Sequence, residues 1–191
     1  YLTKLARSQF SDKDGVEIPS LLKAIGDFER ISDHSVNLLE SVEELQEKKM
    51  AFSESAKHEM GVMCSALSEI LENTLDCFVT SDVEKAYNIE PLEQVVDDLK
   101  RMLRNTHIAR LTVGECTVEA GFVWADLLTN LERTSDHCSS IGVMMLARNN
   151  EAILQNHHDY LHNLHQGNDV DYRAEKNRRR EQYIKPLKAI Q

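Results

Sequence analysis

A chain of 191 residues is long enough to bury a sizeable core as one domain or two small ones. Only 7 Gly and 3 Pro occur while 41% of residues are hydrophobic, and that scarcity of turn formers favours long helices over many short strands. The formal net charge of −10 argues against a nucleic-acid partner, because a polyanion repels an acidic surface, and it suits a surface that attracts cations.

Residues 1–10 read as the end of a helix, and the segment from Ser11 to Gly15 reads as a turn. Ile18-Pro19-Ser20 then opens a long helix that the spacing of Leu21, Leu22, Ile25, Phe28, Val36, Leu39 and Val42 carries to about Lys49. Ser53 or Ser55 caps a second helix over about 54–80, with Met60, Met63, Leu67, Ile70, Leu71 and Leu75 as its core stripe. Ser81-Asp82 breaks the pattern and starts a third helix over 83–112, in which Pro91 predicts a kink or a restart near Ile89. After a turn at Gly114, a fourth helix over about 116–148 carries Phe122, Leu127, Leu128, Leu131, Ile141 and Met145 on its stripe. Asn149-Asn150 is a stop, a shorter helix runs to about His165, Gln166 to Asp169 is a turn, and a charged helix starts near 171. No strand pattern, low-complexity linker, signal peptide or apolar run of about 20 residues is visible, although the chain opens on Tyr1. Cys64, Cys77, Cys116 and Cys138 are too dispersed for a Cys-x-x-Cys site and read as reduced, mostly buried thiols of a cytosolic protein.

One short sequence occurs twice, 103 residues apart: Asp27-Phe-Glu29-Arg30-Ile-Ser32-Asp33-His34 and Asn130-Leu-Glu132-Arg133-Thr-Ser135-Asp136-His137. Upstream, Thr3-Lys-Leu-Ala6-Arg7 falls on Thr106-His-Ile-Ala109-Arg110 in the same register, so the repeat is a duplication of a helical unit. Each copy sets a Glu four residues before an Asp, which places both carboxylates on one helix face. A further pair, Glu93 and Asp97, stands upstream of the second copy, and its counterpart in the first copy would precede residue 1. The chain is therefore expected to begin inside its first repeat.

If antiparallel helices turn these faces together, Glu93, Asp97, Glu132 and Asp136 form a four-carboxylate cluster that repels itself until cations or protons neutralise it. Oxygen ligands of this kind suit Mg²⁺, Ca²⁺, Mn²⁺ or iron, with His137 or Asp98 as an outer ligand. Glu29 and Asp33 offer half of a second site. The bland alternative is a solvated face on which Arg30 and Arg133 pair with the acids to little energetic effect.

The segments Phe28-Glu-Arg-Ile-Ser-Asp-His34 and Leu131-Glu-Arg-Thr-Ser-Asp-His137 resemble the Glu-Arg-Ile-Gly-Asp-His signature of PhoU proteins, and Leu92 to Leu99 resembles the family's second-helix acidic motif. Ser32 and Ser135 stand where that signature has Gly. The resemblance covers residues 1 to about 148 and implies an all-α fold of tandem three-helix bundles with the first repeat truncated at its N-terminus. It divides the chain into a partial first repeat over 1–52, a complete second repeat over 53–149 and a C-terminal helical extension over 150–191. It also implies a divalent or iron cation on Glu93, Asp97, Glu132 and Asp136, with Glu29 and Asp33 left incomplete. The stretch from His158 to Pro186 is similar to the tail of PhoU-like domains fused to bacterial sodium/phosphate cotransporters.

The function implied is a non-catalytic regulatory domain in phosphate uptake, at the cytoplasmic face of the inner membrane. Its expected partners are the transmembrane transporter domain of the same parent protein and a second copy of the chain; nucleic acid is excluded. The alternative is an all-α, MazG-like nucleotide pyrophosphohydrolase holding Mg²⁺ on helical acids, which typically uses Glu-x-x-Glu and Glu-x-x-Asp pairs and not the longer spacing seen here. No Gly-rich phosphate loop or activated nucleophile supports other chemistry.

Two lesser clusters remain. His158, His162 and His165 share a helix face that offers zinc three ligands, or simply flanks an apolar face of Leu154, Leu161 and Leu164. The tail carries Lys176, Arg178, Arg179, Arg180 and Lys185, suited to an anionic membrane or, as the favoured reading, to pairing with the acidic body.

Overall fold

The computed structural model describes residues 12–148, 150, 153, 156–166 and 169–188. The described residues form the α-helices α1 Asp12–Glu47, α2 Glu54–Thr80, α3 Val83–Thr112, α4 Val118–Ala147, α5 His157–His165 and α6 Val170–Lys188. No strand occurs among the described residues, so the fold is all-α. The helix expected over residues 1–10 and the upstream repeat match at Thr3 to Arg7 lie outside the described residues.

The boundaries follow local chemistry. The Ser53 hydroxyl accepts from the Ala56 amide, Asp82 from Glu84 and Lys85, and Thr117 from Ala120, so each long helix of the second unit opens on a side-chain cap. Ser81 closes α2 at φ 59°, and Gly114 takes φ +75° in the turn before α4, a conformation glycine adopts without a Cβ clash. Two expectations are corrected. The predicted turn at 11–15 is helical from Asp12 onward, and Pro19 lies inside α1. Nor does α3 restart at Pro91: the helix runs through it, because the buried Ile89, Leu92, Val95 and Val96 around it supply packing that outweighs one missing amide donor.

Helices α2, α3 and α4 form a three-helix bundle closed by Met63, Ile70, Leu92, Leu99, Trp124, Leu128 and Ile141, each essentially without solvent contact. Where α3 crosses α4 the backbones come close. A Cβ on Gly142 would stand 2.9 Å from Ile89 Cδ1, so only glycine fits without displacement. At the other end of the bundle Arg110 donates twice to Glu59, at 2.7 and 2.9 Å, and lies over the Trp124 ring.

Helix α1 lies antiparallel along α4, and α6 lies along α3 and touches α2. Leu75 and Phe122, assigned to apolar stripes by their spacing, are exposed. So is much of the stripe of α1. Ile25 is 54% exposed whereas Leu128, its counterpart 103 residues on, is 2% exposed; Val42 and Met145 differ in the same way, at 41% and 3%. On α4 these positions are covered by α2 and α3; the matching face of α1 has no such cover among the described residues. No described helix is long and apolar enough to cross a membrane.

The tail docks on the body, as its charge favoured. Arg179 is buried between Glu69 and Glu175, Arg180 pairs with Asp98, and Tyr183 donates to Glu69. The four cysteines are free; Cys77 and Cys138 are buried, Cys116 is half-buried and Cys64 is exposed.

Candidate functional site

Glu93 and Asp97 project one turn apart from α3, and Asp136 meets them from α4. One carboxylate oxygen from each lies within 4.8 Å of the other two. Two oxygens on opposite sides of a hard cation at ~2.4 Å stand ~4.8 Å apart, so the trio fits one divalent ion. Among the described residues this is the one group of three or more ligating side chains gathered so tightly.

Burial and mutual repulsion disfavour the ionised form of all three acids. Burial pushes the Glu93 carboxyl far above the usual range, with Glu90, Asp97 and Asp136 adding repulsion against a weak opposing hydrogen bond from Gln94. Asp97 is raised by burial and by Glu132, and Asp136 is raised to about 6 by burial, Glu132 and Asp97. Such a cluster holds protons when it holds no cation, and a cation binds by displacing them.

The remaining candidates lie elsewhere. Glu132 Oε2 is 2.7 Å from Lys100 Nζ, so this fourth acid contributes an ion pair beside the trio and not a member of it. Asp98, considered as an outer ligand, pairs with Arg101 and Arg180. Glu29 and Asp33 are exposed on α1, and no other acid gathers with them among the described residues; Asp33 lines a shallow cleft with Asp136, Arg30 and Arg133. Lys100, not Arg30 or Arg133, is the cation that answers Glu132. Of the histidines weighed for zinc, His165 Nε2 is 2.6 Å from Glu90, His162 contacts Gln166, and the His158 side chain lies outside the described residues.

His137 serves neither as a ligand nor as a free group. Its Nδ1 donates to Asp27 Oδ1 at 2.9 Å, and Ser140 donates to the other Asp27 oxygen, also at 2.9 Å. In the mirror arrangement, His34 Nδ1 donates to Asn130 Oδ1 at 2.9 Å and Asn37 donates to the same oxygen at 3.1 Å. Asp27, His34 and Asn37 are the counterparts of Asn130, His137 and Ser140 at the repeat offset. The two copies of the motif therefore clasp each other across a local two-fold axis, with the His34 and His137 rings stacked at 5.7 Å between them. The repeat made these residues visible in sequence, but nothing there shows that their histidines bind the sister copy.

The comparisons with known proteins bear on this segment. Residues 61–145, which include the trio, match the model of the PhoU domain. That segment is similar to a PhoU domain. The phosphate-specific transport system accessory protein PhoU homolog 1 of Thermotoga maritima is 29% identical over 124 residues, 65% of this chain and 53% of that protein. A PhoU homolog of the same description from Streptococcus pneumoniae is 25% identical over 122 residues, covering 64% of this chain and 55% of the relative. One from Zymomonas mobilis is 25% identical over 129 residues, covering 68% and 53%. The chain thus spans about half the length of the curated relatives it matches. No solved structure matches it significantly. Within the matched segment, α3 supplies Glu93 and Asp97 and α4 supplies Asp136, so the trio bridges two of its helices.

Proposed function

We propose that this chain is a non-catalytic regulatory module of sodium-dependent phosphate uptake, acting on the transmembrane transporter domain of its parent protein at the cytoplasmic face of the membrane. The observation that carries the reading is the trio itself: three acids raised by burial and mutual repulsion, inside the segment that matches the PhoU domain. The printed names of the relatives, accessory proteins of phosphate-specific transport, support the phosphate half of the proposal. Glu93, Asp97 and Asp136 would hold a hard divalent or iron cation, with Glu132 available to it once released from Lys100. A bound cation supplies charge that ties α3 to α4. The pyrophosphohydrolase alternative gains no support from these relatives.

The test is metal content by mass spectrometry on protein purified without chelator, beside Glu93→Gln/Asp136→Asn. The expected result is a cation present in the wild type and absent from the folded variant. Magnesium-dependent release of phosphate or pyrophosphate from nucleotides would sink the non-catalytic reading. Equal, negligible metal in both forms would remove the cation. Co-purification with the parent's transporter domain from detergent-solubilised membranes tests the partner, and a chain that never co-purifies overturns it.

A further inference from the structure

A second cavity, of about 520 Å³, opens between the N-terminal half of α3, the C-terminal half of α4 and the helices α5 and α6. Its volume is in the range of small-molecule sites. Ile89, Val143, Leu146 and Leu164 give it an apolar floor, while Tyr87, Tyr160 and Tyr172 stand on its walls. The hydroxyls of Tyr160 and Tyr172 are buried and have no hydrogen-bond partner, and Tyr172 as a residue is only 7% exposed. A buried hydroxyl left unpaired loses its hydrogen bonds to water with nothing in return, so two at one cavity call for a partner that the protein does not itself provide.

The charge on the walls restricts what that partner is. Glu84, Glu90, Asp169, Asp171 and Glu175 line the cavity, and no Lys, Arg or His does so among the described residues. Glu175 is answered from outside by Arg178 and Arg179, and Asp169 caps α6 through the Tyr172 amide. Glu90 is 6% exposed and accepts from Ser139 and His165. The rim acids Glu84 and Asp171 are exposed. An anion would meet these carboxylates with no lining cation to offset them. An ammonium group meets acceptor oxygens and aromatic faces, the combination that holds alkylammonium ions.

We propose that this cavity binds a protonated aliphatic amine of the linear di- or polyamine class, with Tyr160, Tyr172 and Glu90 receiving one ammonium group, the alkyl chain on Ile89 and Val143, and Glu84 and Asp171 at the mouth. The site adjoins the trio, since Glu90 stands one turn before Glu93 on α3, but shares none of Glu93, Asp97 and Asp136 and does not depend on the function proposed for them.

Isothermal titration calorimetry with spermidine and putrescine, in about 0.15 M salt to screen diffuse attraction, tests it. Saturable one-to-one binding is expected, weakened about tenfold in Tyr160→Phe/Tyr172→Phe, which removes two oxygens and leaves the packing. Glu84→Gln/Asp171→Asn changes only exposed side chains and is expected to weaken binding without altering the melting temperature. Asp33→Asn, on the far cleft, is the control and should bind as the wild type does. Equal binding of the uncharged N,N′-diacetylputrescine, no heat at millimolar spermidine, or undiminished affinity in both folded double variants would each overturn the proposal.

Discussion

Glu93→Gln is expected to stabilise the cation-free protein at neutral pH while weakening its hold on a cation. Glu93 is 7% exposed, and burial with Glu90, Asp97 and Asp136 around it lifts its carboxyl far above its ordinary value of 4.5. The folded state then keeps a proton that the unfolded chain releases above that value. Stability from this group is therefore fully present below pH 4.5 and declines as the pH rises toward the folded pKa. For a proton held up to neutral pH, the loss by pH 7 has a ceiling of about 3 kcal/mol at ~1.4 kcal/mol per pH unit. Gln is the isostere of the protonated acid and does not titrate. Urea unfolding of chelator-treated protein at pH 5, 6, 7 and 8, followed by helical circular dichroism, reads the difference. The wild type should lose stability across this range and the variant should lose less, its residual slope coming from Asp97 and Asp136. Mn²⁺ at about 100 times its Kd should return ~2.7 kcal/mol to the wild type at pH 7, and less to the variant. Parallel pH curves for the two proteins would refute a buried, proton-bound Glu93.

Lys100→Met frees Glu132 from its 2.7 Å ion pair and leaves four carboxylates together, so Mn²⁺ should bind more tightly by calorimetry while the cation-free protein melts earlier. Gly142→Ala forces a Cβ to 2.9 Å from Ile89 and should cost about 1–3 kcal/mol in urea unfolding, with part of the loss recovered by adding Ile89→Val. Arg110→Met strands the buried Glu59 carboxylate and should cost about 3–5 kcal/mol at pH 7, whereas Arg110→Met/Glu59→Leu should recover most of it. Asp27→Ala removes the acceptor of both His137 and Ser140, so limited proteolysis should cut α1 sooner while the bundle of α2 to α4 keeps its melting temperature.

The helices of the second unit were legible because each opens on a capping side chain and follows a 3.6-residue apolar period: Ser53, Asp82 and Thr117 mark starts that the sequence states openly. The N-terminal edge of α1 was not, since Asp and Gly at 12–15 are turn formers only by weak local preference. Spacing alone also brought Glu93, Asp97 and Asp136 to one place, because acids four apart on antiparallel helices share a face. It could not separate Glu132 from them: whether an acid faces its fellows or the Lys100 ammonium is decided by rotation of the helix pair, which spacing does not encode. The interior ion pair of Arg110 with Glu59 and the cavity beside Glu90 join residues 51 to 75 positions apart in sequence, a separation at which period and motif carry no signal.

Helix α1, with 36 residues, is about 54 Å long, and the reciprocal contacts at Asp27, His34 and Asn37 grip it near its midpoint. Mechanically it is a beam laid along α4 and pinned there by this clasp and by the ion pair of Glu17 with Arg148. His137, half of that clasp, is the next residue after Asp136, so the backbone that sets a carboxylate of the trio also sets the bearing of the beam.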